Sequence, residues 1–113
     1  MNLNIVFRGE KLTVKFERYV DNNRVAIALY TNPRKLFAVA TANILELRLF
    51  PYEVVIKEYA ETEGIASVLM QAGIIEAPNR WTQSGLFRIP VCSLTDEAAD
   101  YIEKLDLIHE DED

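Results

Sequence analysis

Three glutamates set close together, Glu58, Glu61 and Glu63, flank Tyr59 and form the densest group of titratable side chains near the middle of this 113-residue chain. Paired carboxylates can do general acid–base work when burial splits their pKa values. These three lie between a β-branched run and a helical pattern, where acids also favour a helix N-terminus and keep a turn solvated. No neighbouring residue forms a desolvating wall or adds a second polar group with a clear role. The turn therefore reads as structural or as a partner-binding surface, and no catalytic residue is expected.

The remaining chemistry is sparse. A nucleophilic cysteine needs a histidine base or a helix N-terminus to lower its pKa. The single cysteine, Cys92, lies among Ile89, Val91 and Leu94, and the single histidine, His109, lies in an acidic tail. Cys92 thus reads as a buried structural thiol. His109 beside Glu110, Asp111 and Asp113 could hold a metal only weakly, and a structural zinc needs about four His or Cys ligands. The four glycines are scattered and none forms a phosphate-binding pattern. Neither metal nor cofactor is expected.

Two surface features compete as binding sites. Lys11, Lys15, Arg18 and Arg24, with Arg8, Arg34 and Lys35 nearby, would make a basic sheet of the kind that grips single-stranded nucleic acid. Glu10 and Glu17 dilute that patch, and the chain carries a net charge of −6. Trp81, with Arg80 beside it, belongs to the residue types most often found as interface anchors. It falls in an apparent loop running from Ala77 to Gly85. The competing reading makes Trp81 a lid over its own core, and its exposure decides between the two.

Charge is unevenly distributed. Residues 1–57 hold nine Lys/Arg against five Asp/Glu, whereas residues 58–113 hold three against thirteen. An acidic half suits a basic protein partner through electrostatic steering. It also suits a set of solvated helix starts and a tail. One cysteine cannot form an intramolecular disulfide, the N-terminus has no basic segment ahead of its apolar run, and no apolar stretch nears the roughly 20 residues needed to span a bilayer. A cytoplasmic location is the resulting expectation.

The elements that must position these residues follow from periodicity. Leu3, Ile5 and Phe7 alternate with Asn4, Val6 and Arg8, and Leu12, Val14 and Phe16 alternate with Thr13, Lys15 and Glu17, which predicts a β-hairpin turning at Gly9-Glu10. A parity slip between Phe16 and Tyr19 predicts a bulge near Glu17-Arg18. Strands over residues 24–30 and 36–41 complete an antiparallel meander, and residues 53–57 form a short fifth strand. Residues 43–52 read as an ordered loop. Thr62 is the expected cap of a helix over residues 63–72 that presents Ile65, Val68, Leu69 and Ala72 and stops at Gly73. Residues 86–92 form a last strand, which Pro90 confines to an edge or a bulge. Thr95 caps a short final helix presenting Ala98, Tyr101, Ile102 and Leu105. The fold class is α+β: a mostly antiparallel sheet of five or six strands, one main helix packed on a face and a short C-terminal helix. Residues 1–105 form one domain, and residues 106–113 are an acidic tail that frays. The expected core contains Leu12, Val14, Phe16, Val25, Ile27, Leu29, Ile56, Ile65, Val68, Leu69 and Ile89.

The segments Val-Val-Ile-Lys-Glu-Tyr-Ala-Glu-Thr-Glu-Gly at 54–64, Ala-Gly-Ile-Ile at 72–75 and Phe-Arg-Ile-Pro-Val-Cys at 87–92 carry a resemblance. Together with the opening hairpin and Asp21-Asn22-Asn23, they resemble a family of small domains of unknown function from plasmids, conjugative elements and phages of gut-type bacteria. The resemblance implies a mobile-element accessory protein and brings no active-site residues with it. The functional expectation is a non-enzymatic protein-interaction module, an accessory or anti-defence factor acting through an acidic surface at Glu58, Glu61, Glu63 and Trp81. The alternative is a nucleic-acid-associated module using Lys11, Lys15, Arg18 and Arg24.

Overall fold

Alternating apolar residues in the first forty positions build a four-stranded antiparallel meander in the order β1 (Asn4–Phe7), β2 (Glu10–Arg18), β3 (Val25–Asn32) and β4 (Lys35–Val39). The computed structural model describes residues 1–111, with side chains through Ile108. The first turn falls one residue earlier than expected. Arg8 and Gly9 both take positive φ, at 51° and 78°, and Phe7 pairs with Glu10. Two left-handed residues give the turn a twist that matches the flanking strands. No bulge interrupts β2 near Glu17-Arg18, where Phe16, Glu17 and Arg18 pair in step with Ile27, Ala26 and Val25. The irregularity lies instead between β3 and β4, around Tyr30.

A second antiparallel sheet holds β5 (Glu53–Val55), β7 (Phe87–Ser93) and β6 (Arg80–Ser84) in that order. The expected single sheet is therefore divided in two, and the expected loop around Trp81 is a strand. β7 occupies the centre of its sheet with no register shift despite Pro90, contrary to the edge or bulged position expected for it. The ladder explains why. Pro90 opposes Trp81 across β6, and toward β5 its carbonyl accepts the Ile56 N–H at 3.0 Å, where β5 is already ending. The two sheets are joined by an antiparallel bridge between Thr41 and Ile56.

The period-2 pattern gives way to helical spacing after residue 62. A 3-10 turn at Ala60–Thr62 precedes α1 (Ile65–Gln71), and α2 (Asp96–Asp111) closes the chain. α1 ends at Ala72 with Gly73 left-handed beyond it, as its position predicts. Thr95 caps α2 as expected: its hydroxyl accepts the Ala98 N–H at 3.1 Å. α2 is longer than expected, continuing past residue 105 to Asp111. The expectations for the His109 side chain and for residues 112–113 lie outside what is described.

The main core gathers the inner face of the meander (Ile5, Phe7, Leu12, Val14, Val25, Ile27 and Leu29), Ile65 and Leu69 of α1, and Ala98 and Ile102 of α2. Val54, Ile56, Cys92 and Leu94 join it from the second sheet and the residues beside it. Phe16 and Val68 are only partly buried at its margin. Ile89 belongs to a smaller cluster with Val55 and Val91 on the opposite face of the second sheet, covered by Ala42, Ile44, Leu47, Leu49 and Tyr59. Residues 43–52 are thus an ordered flap over that sheet. Two Arg24 N–H groups tie the flap down by donating to the carbonyls of Ile44 and Leu47.

Candidate functional site

The acidic turn is organised by its own side chains. Glu58 reaches forward to accept N–H bonds from Gly64 at 2.9 Å and Ala66 at 3.1 Å. These backbone donors open α1, so Glu58 is the carboxylate that satisfies the helix start. Thr62, expected in that role, is buried and turns back to donate to the carbonyls of Lys57 and Tyr59. The helix N-cap is Gly64, at φ 93°, with no side-chain cap of its own. A capping residue upstream of a glycine is not visible from spacing rules that look three residues ahead.

Glu61 pairs with Lys57 at 2.7 Å. Each holds the other in its charged form: Lys57 lies above the ordinary lysine range and Glu61 below the ordinary carboxylate range. Arg8 donates to the Glu63 carbonyl at 2.6 Å, while the Glu63 side chain is exposed. Two of the three carboxylates therefore have defined structural partners.

The basic set is dispersed in the same way. Lys15 lies over the Tyr30 ring at 4.4 Å and donates to the Pro33 carbonyl, and Tyr30 in turn donates to Glu17 at 3.0 Å. Arg18, on the opposite parity of β2 from Lys11 and Lys15, pairs with Asp106 of α2 at 2.8 Å. Arg24 is held by the flap. Lys11 alone of the four has no bonded partner among the described residues. Of the four, Arg18 is the one paired with a carboxylate among the described residues.

A surface depression of about 400 Å³ is lined by Arg18, Arg24, Phe50, Tyr52 and Glu53, among others. Its polar groups are bonded elsewhere: Tyr52 donates to Glu103 at 2.9 Å, and Glu53 receives Arg80 at 2.9 Å and the Phe50 N–H at 2.7 Å. Burial alone would raise the Glu53 pKa, but these bonds outweigh it and hold the carboxyl below its ordinary value. Cys92 is fully buried, and burial, with a smaller contribution from Glu58, pushes its thiol up to about 11. That is the opposite of an activated nucleophile. No group of three or more His, Cys, Asp or Glu with metal-binding geometry occurs among the described residues.

Trp81 behaves differently from all of these. It sits on β6 and is 49% exposed, with the Arg88 guanidinium 5.0 Å from its ring centre. The hairpin reverses through Gly85 and Leu86, with Gly85 at φ 59° and Leu86 95% exposed. Phe87 is half exposed and stacks on Tyr59 with ring centroids 4.5 Å apart. No acid occurs between residues 77 and 95, while Arg80 and Arg88 both do. Spacing rules did locate Trp81 but placed it in a loop, because Pro78, Asn79 and Gly85 mask a five-residue strand.

The chain matches no protein-family model, no curated protein and no solved structure. Among the described residues no helix is long and apolar enough to cross a membrane.

Proposed function

We propose that this chain is a non-enzymatic protein-interaction module whose contact surface is the β6–β7 hairpin, anchored by Trp81. The observation that carries the reading is the half-exposed indole with Arg88 stacked on it, on the same hairpin whose turn carries an almost fully exposed Leu86. Aromatic and arginine side chains that offer large rigid area are the usual anchors of protein interfaces. Within the acidic turn, Glu58 and Glu61 act mainly as a helix cap and an ion pair, which leaves Glu63 as a peripheral steering charge. The mobile-element accessory role, implied by the resemblance of residues 54–64 and 87–92, is compatible with a small domain that works by covering another protein's surface. The nucleic-acid alternative has less to support it, because Lys15, Arg18 and Arg24 each have an acceptor within the chain.

Affinity capture from the source cells tests this reading with two variants. Trp81→Ala is expected to lose captured partners while keeping the native circular dichroism. The double variant Glu61→Gln/Glu63→Gln is expected to retain them. The reverse pattern would return the interface to the acidic turn and reject the hairpin.

A further inference from the structure

We propose that β6 is the pairing edge for a second copy of this chain, giving a two-fold dimer in which the two β6 strands run antiparallel. The inference rests on the reading of the hairpin as an interaction surface and names its occupant.

The argument begins with the ladder. Ser84 and Phe87 close a two-residue turn, so the pairs Ser84–Phe87, Thr82–Ile89 and Arg80–Val91 direct their backbone groups at one another. Trp81 and Gln83 then direct their N–H and C=O groups away from β7. Pro90 agrees with this alternation, because it opposes Trp81, where no donor toward β6 is needed. Among the described residues, no other strand pairs with β6 on that side.

The other sheet edges are engaged in part. β4 and β5 meet through the Thr41–Ile56 bridge, and the Ala42 N–H donates to Val55. β1 packs beside α1, and the Asn2 side chain accepts the Asn4 N–H at 3.0 Å. β6 has no proline, no lysine and no register shift, the devices that usually blunt an exposed edge. Its one charge, Arg80, is turned to Glu53 and to the Arg48 carbonyl.

Self-pairing fits this edge. With Thr82 on the two-fold axis, Trp81 opposes the copy's Gln83, and Gln83 opposes the copy's Trp81. This register uses all four outward backbone groups and sets no like charges directly opposite each other. The two Trp81 residues then lie diagonally, roughly 7–8 Å apart and within reach of aromatic side chains. Each indole would cover the other's exposed half, with its own Arg88 on the flank. A protein of net charge −6 would meet its copy along its acid-free stretch, residues 77–95. The result is a continuous six-stranded sheet.

Cross-linking tests the register. Across a non-hydrogen-bonded antiparallel pair the Cα atoms are about 4.5 Å apart, within the roughly 4.4–6.8 Å that a disulfide spans. Thr82→Cys is therefore expected to give a covalent dimer on mild oxidation. Gln83→Cys, whose copy lies diagonally and beyond that reach, is expected to stay monomeric. Sedimentation of the wild-type chain from micromolar to millimolar concentration is expected to show a doubling of mass. Gln83→Pro removes only an outward donor and should abolish that doubling. A wild-type monomer throughout the series, or equal cross-linking of both cysteine variants, overturns the dimer. If the chain is monomeric yet partner capture still requires Trp81, the dimer falls and the hairpin reading stands. Loss of Trp81 dependence removes the hairpin reading itself.

Discussion

The turn at residues 57–64 and the hairpin at residues 80–93 touch one another, since Tyr59 stacks on Phe87 and its hydroxyl lies 3.4 Å from that of Ser84. They differ in how their polar groups are used. In the turn, Glu58 satisfies two helix N–H groups, Thr62 satisfies two carbonyls, and Glu61 is paired with Lys57. In the hairpin, the backbone groups that Trp81 and Gln83 turn away from β7 have no partner among the described residues, and Leu86 and half of the indole meet solvent. The region with more charge is thus the more internally satisfied.

Four measurements break or sharpen this contrast. The largest effect is expected from Leu69→Ala in α1, the helix that Glu58 caps. Leu69 is fully buried in the main core, so the loss should be about 2–5 kcal/mol in a denaturant titration. A loss well under 1 kcal/mol would mean that capping, and not packing, holds α1.

Next comes a pH effect from Cys92, which joins the two regions through the electrostatic influence of Glu58. Burial keeps the folded thiol protonated until about pH 11, whereas an ordinary thiol ionises near 9.0. The folded state therefore holds the proton over that window. Its stabilising contribution is complete below the lower value and is lost as pH rises toward the upper one. The wild-type chain should lose about 2 kcal/mol more between those limits than Cys92→Ala does. Parallel profiles for the two proteins would refute the buried-thiol account. In the native state near neutral pH the thiol should also react with a disulfide reagent far more slowly than in the denatured chain.

A smaller effect is expected from Glu58→Gln. Losing a charged cap from the start of α1 should cost about 0.5–2 kcal/mol, and Glu61→Gln about 0.5 kcal/mol or less. Equal costs would show that Glu58 has no special role in the turn. The smallest is Trp81→Ala, which should change stability by no more than about 0.5 kcal/mol, as an exposed substitution does. A loss of several kcal/mol would make Trp81 a core lid and erase the difference between turn and hairpin.

The meander was legible because Ile5, Phe7, Leu12, Val14, Ile27 and Leu29 obey a strict alternation that only a half-buried sheet needs. The Gly73 stop, the Thr95 cap and the burial of Cys92 were legible for similarly local reasons. What escaped depended on distant partners. β6 reads as a loop until β7 is known to pair with it, and Pro90 argues for an edge until its one missing donor is placed where β5 ends. Glu58 looks like one of three equivalent acids until the chain brings Gly64 and Ala66 within its reach. That Lys15, Arg18 and Arg24 find acceptors in Pro33, Asp106 and the flap was likewise not visible in the spacing.

Ala40 sits where the two sheets meet: its N–H donates to Ile27 at 2.8 Å, and its carbonyl accepts from Lys57 at 2.8 Å. A single residue is thereby a rung in both ladders, and neither sheet can open at this seam without disturbing the other. Melting is consequently expected to involve both sheets together, and the amides of Ala40 and Lys57 are expected among the slowest to exchange with solvent, which hydrogen exchange would read directly.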